Sequence, residues 1–142
     1  MYWWCSPSKR EQIELKKLKI ENNIKFVSGC SSNDLNLLYN HAFCLLFPSI
    51  YEGFGIPAVE AMKAGCPIWC TNSSSVIELT GEDYPFLFDP ESWDSALKAF
   101  GRMLDPSNRK LAVKYGMKRS KRFSWEKCAN ETLKIYNELC QN

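Results

Sequence analysis

The sequence predicts an α/β domain built on an open, doubly wound parallel sheet of about five strands. Three observations lead there. Short apolar runs rich in aromatic, β-branched and leucine residues alternate with segments whose apolar positions recur at helical spacing. The repeated strand-then-helix order, in short steps, is that of a parallel sheet covered on both faces. The length, 142 residues, suits about one such domain with a single core.

Taken in order, "MYWWC" reads as a buried strand, and Ser8 with Glu11 has the spacing of a capping box that opens a helix to about Ile20. Strand-like "IKFV" begins at Ile24. A Ser/Asn/Asp turn follows, then a helix from near Asp34 to Ala42, in which Leu35, Leu38 and Tyr39 recur at helical spacing; Leu35 and Tyr39 are read as core. "FCLLF" is the third strand. Pro57 suits the first turn of the next helix and Gly65 its C-terminus. "PIWC" from Pro67 is a fourth strand, "NSSSVIEL" a polar loop with a short helical turn, and "PFLFD" a fifth strand. Three helices complete the chain, starting near Pro90, near Pro106 and at Ser124; the turn "DPSN" precedes the second, and Ser124 in "RFSW" can cap the third. There is no internal repeat, low-complexity tract or linker.

Composition excludes several classes. With 45% hydrophobic and 24% charged residues the chain is too apolar for disorder. A net charge of +2 gives no reason to expect a nucleic-acid partner, and the pairs Lys9-Arg10, Lys16-Lys17, Lys118-Arg119 and Lys121-Arg122 read as solvated helix faces. Seven cysteines are an odd number, several inside apolar runs where a thiol acts as a small hydrophobe, so a disulfide framework is not expected. Cys66 and Cys70, spaced CxxxC, and the single histidine, His41, do not make a zinc set, which points to a reducing, cytoplasmic setting. No run approaches the ~20 apolar residues of a membrane span, and "MYWW" lacks the basic start of a signal peptide.

The chemistry concentrates in "PSIYEGFGIPAVEAMKAGCP", residues 48–67. In an open parallel sheet, ligands bind at the carboxyl ends of the strands, where loops lead into helix N-termini, and this segment occupies such a place after "FCLLF". Gly53 and Gly55 remove side chains that would keep a ligand from the main chain, and the amides of the helix start favour an anion such as a diphosphate. Carboxylates repel phosphate, so the natural partners of Glu52 and Glu60 are hydroxyls, one set on a hexose and one on a ribose. Taken singly, Glu60 is also explained as a charge near a helix N-terminus, and the glycines as an ordinary turn. Two carboxylates also invite comparison with glycoside hydrolysis, but a glycine-rich loop opening a helix suits a phosphate, which glycosidases do not bind.

The combination of "PSIYEGFGIPAVEAM", "AGCPI", "NSSSVIE" and "FDP" resembles the nucleotide-sugar-binding half of retaining glycosyltransferases of family four, with their E-x7-E signature. "VSGCSSNDLNLLYNHA" and "KRFSWEKCANETLKIYNEL" extend the resemblance over nearly the whole chain. It implies the C-terminal, Rossmann-like half of a glycosyltransferase B fold, with residues 1–142 forming a single donor-binding domain. By resemblance, Glu52 is the catalytic-site glutamate and contacts hydroxyls of the donor hexose. Gly53, Phe54, Gly55 and Ile56 line the sugar and phosphates largely through the main chain, and Glu60 holds the ribose. Val27 and Ser28 lie near the base, Ser49 positions the loop, and residues 72–75 line the cleft or form a solvent loop.

The family transfers a sugar from a nucleoside diphosphate donor to a hydroxyl with retained anomeric configuration, generally without a metal. Basic side chains and helix amides then stabilise the leaving diphosphate. The implied partners are a GDP- or UDP-sugar, the mannosyltransferases of the family being the nearest in pattern, and a sugar or lipid-linked acceptor in polysaccharide biosynthesis. No cofactor and no metal are expected. The implied setting is the cytoplasm, including the inner face of a membrane. The acceptor half of the family, and the arginine and lysine that relatives carry ahead of the first strand, have no counterpart in these residues. Lys9 and Arg10 stand where relatives have a glycine-rich loop and are read as a surface pair, and Val76-Ile77-Glu78 replaces an apolar-proline-glutamate run. Three accounts stay open: a fragment of a longer enzyme, a half-enzyme needing a partner chain, and a nucleotide-sugar-binding module that never catalyses. An apolar rim around the cleft favours the first two, and a polar one the third.

Overall fold

The computed structural model describes residues 7–140 in full and the backbone of Tyr2 and Trp3. The chain divides into two compact units, Met1–Leu35 and Asn36–Asn142.

In the first unit β1 (Tyr2–Trp3) pairs in parallel with β2 (Lys25–Phe26), Tyr2 opposite Lys25. The rest of "MYWWC" lies outside the described residues, as do the side chains of Tyr2 and Trp3. Between the strands runs α1 (Lys9–Lys17). Its capping box forms as the spacing requires: the Ser8 amide donates to Glu11 Oε2 at 2.7 Å and the Glu11 amide to Ser8 Oγ at 3.3 Å. The helix stops short of Ile20 because Lys19 turns left-handed at φ 56. The next helix, α2 (Ser32–His41), starts two residues before Asp34 because Ser31 caps it: Ser31 Oγ accepts from the Asp34 amide at 3.2 Å, and Asp34 Oδ2 accepts from the Ser31 amide at 3.0 Å.

The second unit holds a three-stranded parallel sheet of β3 (Leu45–Phe47), β4 (Ile68–Thr71) and β5 (Leu87–Phe88), with β4 central. All five expected strands therefore exist and every pairing is parallel, arranged as one pair and one sheet of three. The helix α3 (Ile56–Lys63) joins β3 to β4, and α4 (Ser74–Thr80) joins β4 to β5. Three helices follow, α5 (Trp93–Met103), α6 (Pro106–Ser120) and α7 (Trp125–Cys140). Each starts at a side-chain cap: Ser92 accepts from the Ser95 amide, Asp105 from the amides of Ser107 and Asn108, and Ser124 from that of Lys127. Pro90 sits in the turn before α5, where Asp89 Oδ1 accepts from the Glu91 amide at 2.9 Å.

Side chains alternate across β4. Trp69 faces Phe88 and the α5 residues Ala96, Ala99 and Phe100, its ring centroid 5.0 Å from that of Phe100. Ile68 and Cys70, both fully buried, point the opposite way. A strand covered on both faces is the signature of a parallel sheet, so the predicted class holds. The layer of α3 packs against β3, β4 and α6. Gly116 permits the close approach of α6, since a Cβ there would lie 3.2 Å from Met62 Cγ. The start of β4 is fixed by Tyr84, whose hydroxyl accepts from the Ile68 amide at 2.8 Å. Because β3 and β4 run the same way, the loops entering α3 and α4 emerge side by side at one sheet edge.

Candidate functional site

The loop 48–55 leaves β3 and enters α3 through Gly55, which is the helix N-cap at φ 92 and ψ 49. Left-handed backbone suits glycine, and there is a second reason for it here: a Cβ would stand 2.8 Å from Leu79 Cδ1 and 3.5 Å from the Phe47 ring. The missing side chain of Gly55 thus makes room for the core. Gly53, by contrast, has nothing within 4 Å of where its Cβ would be, so its main chain is open to solvent and to a ligand.

No side chain caps α3. The Gly55 carbonyl takes the amides of Ala58 and Val59, at 3.0 and 3.4 Å, and Pro57 has no amide to offer. The amides of Gly53, Phe54, Gly55 and Ile56 have no hydrogen-bond partner among the described residues. Helices α1, α2, α5, α6 and α7 have hydroxyl or carboxylate caps, whereas the two helices that enter from the clamped loops, α3 and α4, have none. Such a start attracts an anion.

A clamp between the two βα loops holds this one in place. Buried Thr71, at the end of β4, donates its hydroxyl to the Ser49 carbonyl at 2.5 Å, and Ser73 Oγ donates to the same oxygen at 3.4 Å. Ser49 in turn donates its own hydroxyl to Glu52 Oε1 at 2.7 Å. Ser73, the N-cap of α4, is turned to this clamp and makes no cap hydrogen bond.

The two carboxylates are held alike. Half-buried Glu52 accepts from Ser49 on Oε1, and exposed Glu60 accepts from the Tyr39 hydroxyl on Oε2 at 3.3 Å. The second oxygen of each has no partner among the described residues, so each side chain is oriented by one hydroxyl and presents the other oxygen as an acceptor. Burial, and then the neighbouring Glu60 carboxylate, push the Tyr39 phenol well above its ordinary 10.0, which keeps it a donor.

Glu60, expected in the first turn of its helix as a charge near the N-terminus, stands instead in the second: α3 starts at Ile56 and its first turn holds no acidic residue. The helix-dipole explanation for Glu60 loses force with it, since that effect fades within one turn.

Ser49, Glu52, Gly53, Phe54, Gly55, Ile56 and Glu60 belong to one unit and to one βα connection. Val27, half-buried, and Ser28, exposed, follow β2 in the other unit. The Phe54 ring meets Phe123 edge-on, with centroids 5.6 Å apart at 81°, which leaves the Phe54 main chain as the part available to a ligand. Tyr39 is core, as its spacing predicted, but its hydroxyl serves Glu60. The clamping roles of Thr71 and Ser73 are not legible in the sequence, because hydroxyls 22 and 24 residues from their partner leave no periodic signal.

An α/β domain with bare amides and two oriented carboxylates at the carboxyl edge of a parallel sheet belongs to the ligand-binding doubly wound class. Residues 7–141 match the family described as glycosyl transferases group 1, and the chain belongs to that family. It is 36% identical over 120 residues to O-antigen chain mannosyltransferase B of Escherichia coli, covering 84% of this chain and 31% of that protein. It is 33% identical over 128 residues to the MMP alpha-(1->4)-mannosyltransferase of Mycolicibacterium hassiacum, covering 87% and 31%. Among solved structures, sucrose-phosphate synthase from Thermosynechococcus elongatus superposes with a TM-score of 0.83 at 26% identity, over 99% of this chain and 38% of that one. The C-terminal domain of a group 1 glycosyl transferase from Francisella tularensis gives 0.67 at 25% identity, over 80% and 60%. The fold is thus part of the glycosyltransferase B type, and the chain spans about a third of the length of the curated relatives it matches.

Proposed function

We propose that this chain is the donor-binding domain of a retaining glycosyltransferase. It would transfer a hexose from a nucleoside diphosphate sugar to a hydroxyl of a sugar or lipid-linked acceptor. The observation that carries the reading is the uncapped start of α3 with an oriented carboxylate on either side in sequence. The amides of Gly53, Phe54, Gly55 and Ile56 take the diphosphate. Glu52 takes hydroxyls of the hexose, and Glu60 those of the ribose. Charge on the leaving diphosphate is met by these amides, with no metal required.

The donor is a GDP- or UDP-hexose, and the names of the mannosyltransferase relatives put mannose first. No described helix is long and apolar enough to cross a membrane, and we place the protein in the cytoplasm with a peripheral approach to the inner membrane face. Ile50, Tyr51, Phe54 and Ile56, exposed by 74, 88, 48 and 44%, form an apolar stretch along the site loop. Lone soluble domains seldom leave such a stretch bare. This favours an acceptor-binding N-terminal domain closing over the loop, in the same chain or in a partner, and tells against a stand-alone binding module.

Calorimetric titration of the chain with GDP, UDP and ADP tests the reading. One site with Kd on the order of 0.1 to 1 mM is expected, because half a cleft leaves the diphosphate partly solvated. No heat with any of the three at millimolar concentration would remove the donor site from this chain.

A further inference from the structure

We propose that the outer face of α6 is a docking surface for an anionic lipid bilayer, with an open pocket beside it that takes a phosphate-bearing headgroup. This surface is separate from the donor site and does not depend on it; it names the face through which a peripheral approach is made.

Charge along the chain is strongly uneven. Residues 109–127 hold eight of the 18 lysines and arginines against one acidic residue, Glu126, whereas the other 123 residues carry ten basic against fifteen acidic. Two of the eight are structural: Arg109 lies over the Phe43 ring and bonds its carbonyl, and Arg119 donates to the carbonyls of Leu79 and Glu78. The others point outward. Lys110, Lys114, Lys118 and Lys121, spaced four, four and three apart, fall on one face at 3.6 residues per turn. All four are exposed, α6 contains no acidic residue, and none of the four has an ion pair or hydrogen bond among the described residues. Unpaired like charges in a row repel one another, which an opposing anionic surface would relieve.

Apolar residues share the face. Leu111 is 64% and Met117 46% exposed, and exposed Trp125 opens the next helix five residues after α6 ends. Lysines interleaved with aliphatic and indole side chains suit the headgroup and upper acyl region of a bilayer better than a soluble polyanion, which has no use for the apolar half. Between α6 and the segment before β5 lies an open pocket of about 420 Å³, lined by Lys114, Lys118, Tyr115, Leu111, Pro85 and Asp83 among others. Two lysines beside a largely aliphatic floor suit a phosphate diester on a glyceride. Asp83, also in the lining, opposes the anion.

The test is co-sedimentation of the full chain with vesicles of phosphatidylglycerol and phosphatidylcholine mixed, against phosphatidylcholine alone. Binding only to the anionic vesicles is expected, fading as salt rises past the point where the Debye length is about 8 Å. Lys114→Ala with Lys118→Ala should cost about thirty-fold in affinity, and Asp83→Asn should raise it several-fold. Lys134→Ala on α7 should change little, and all variants should keep the wild-type circular dichroism and nucleotide titration. Equal binding to both vesicle types, or full retention by the double variant, would overturn the proposal. So would displacement by about 5 mM inorganic phosphate at constant ionic strength, which marks a free-phosphate pocket, or stronger binding to RNA than to vesicles.

Discussion

The hydroxyl of Tyr39 reaches 3.3 Å to Oε2 of Glu60 and so ties the end of α2 to the second turn of α3. The ring is buried, with only 7% of its surface exposed, while Glu60 is open to solvent. A fixed phenol aiming an exposed carboxylate is a positioning device, and Tyr39→Phe isolates it by keeping the ring and deleting the donor. Nucleotide affinity should fall about three- to ten-fold, the range expected for one modest hydrogen bond. The melting temperature should barely move, because the lost partner is an exposed carboxylate that water can satisfy. Calorimetry with GDP or UDP reads the first effect and a thermal melt the second; unchanged affinity would leave Tyr39 as core alone.

The two loop glycines should respond differently to the same substitution. Gly55→Ala places a Cβ at φ 92 within 2.8 Å of Leu79 Cδ1, combining backbone strain with a clash against the core. A loss of roughly 2 to 4 kcal/mol is expected from those two mechanisms together. Gly53→Ala meets open space, so its stability should stay within about 0.5 kcal/mol of wild type. Urea unfolding of both variants checks the contrast. Any nucleotide effect of Gly53→Ala would then report on the main chain as a ligand contact, uncomplicated by folding.

Much of this architecture is local and was therefore legible. Ser8 with Glu11, Asp105 before Pro106, and Ser124 are helix starts written in adjacent residues, and each forms the cap its spacing requires. Strand placement followed from apolar runs, but the division into a pair and a sheet of three did not, because strand pairing is chosen by distant partners. The second turn of α4 is not legible because "NSSS" reads as loop, while Val76, Leu79 and Thr80 turn inward only once α6 is in place. Within the site, the glycines and glutamates were visible as residue types. What orients them was not: Tyr39 lies 21 residues from Glu60, and Thr71 lies 22 from Ser49. Periodicity tells which face a tyrosine occupies, not what its hydroxyl will meet.

Alkaline pH should weaken the fold in a defined window. Burial pushes Cys66 up from 9.0 to about 11 and Cys70 from 9.0 to about 12, and the Tyr39 and Tyr84 phenols rise above 10.0. In each case the neutral form is favoured in the folded protein. These groups therefore contribute full stability below the unfolded values of 9.0 and 10.0 and lose it as pH climbs towards the folded ones. Thermal melts should be flat between pH 7 and 8.5 and then fall steadily to pH 11, as expected from this linkage. Cys70→Ala should lessen the slope while lowering stability at pH 7; a melting temperature independent of pH above 9 would contradict the assignment.

The division of labour between the two glutamates gives the sharpest test of the site. Each has one oxygen held by a hydroxyl and one open, so their geometries are alike and only position separates their roles. If Glu60 binds ribose, Glu60→Ala should weaken plain GDP or UDP and the sugar-bearing donor equally. Two charged hydrogen bonds at roughly 1.5 kcal/mol or more each would be lost, enough to bring a submillimolar site near the limit of detection. If Glu52 binds the hexose, Glu52→Ala should leave the free nucleotide untouched and weaken only the nucleotide sugar. Ser49→Ala should repeat the Glu52 effect more mildly, because the carboxylate stays but loses the hydroxyl that aims it. Titrating both glutamate variants with the nucleotide and with its mannose conjugate gives four affinities, and the proposed roles require that only one variant affect the bare nucleotide. Equal losses for the bare nucleotide would mean that both carboxylates act through the shape of the loop and the helix it enters. The ribose and hexose assignments would then fail together, while the bare amides of α3 could still hold a phosphate.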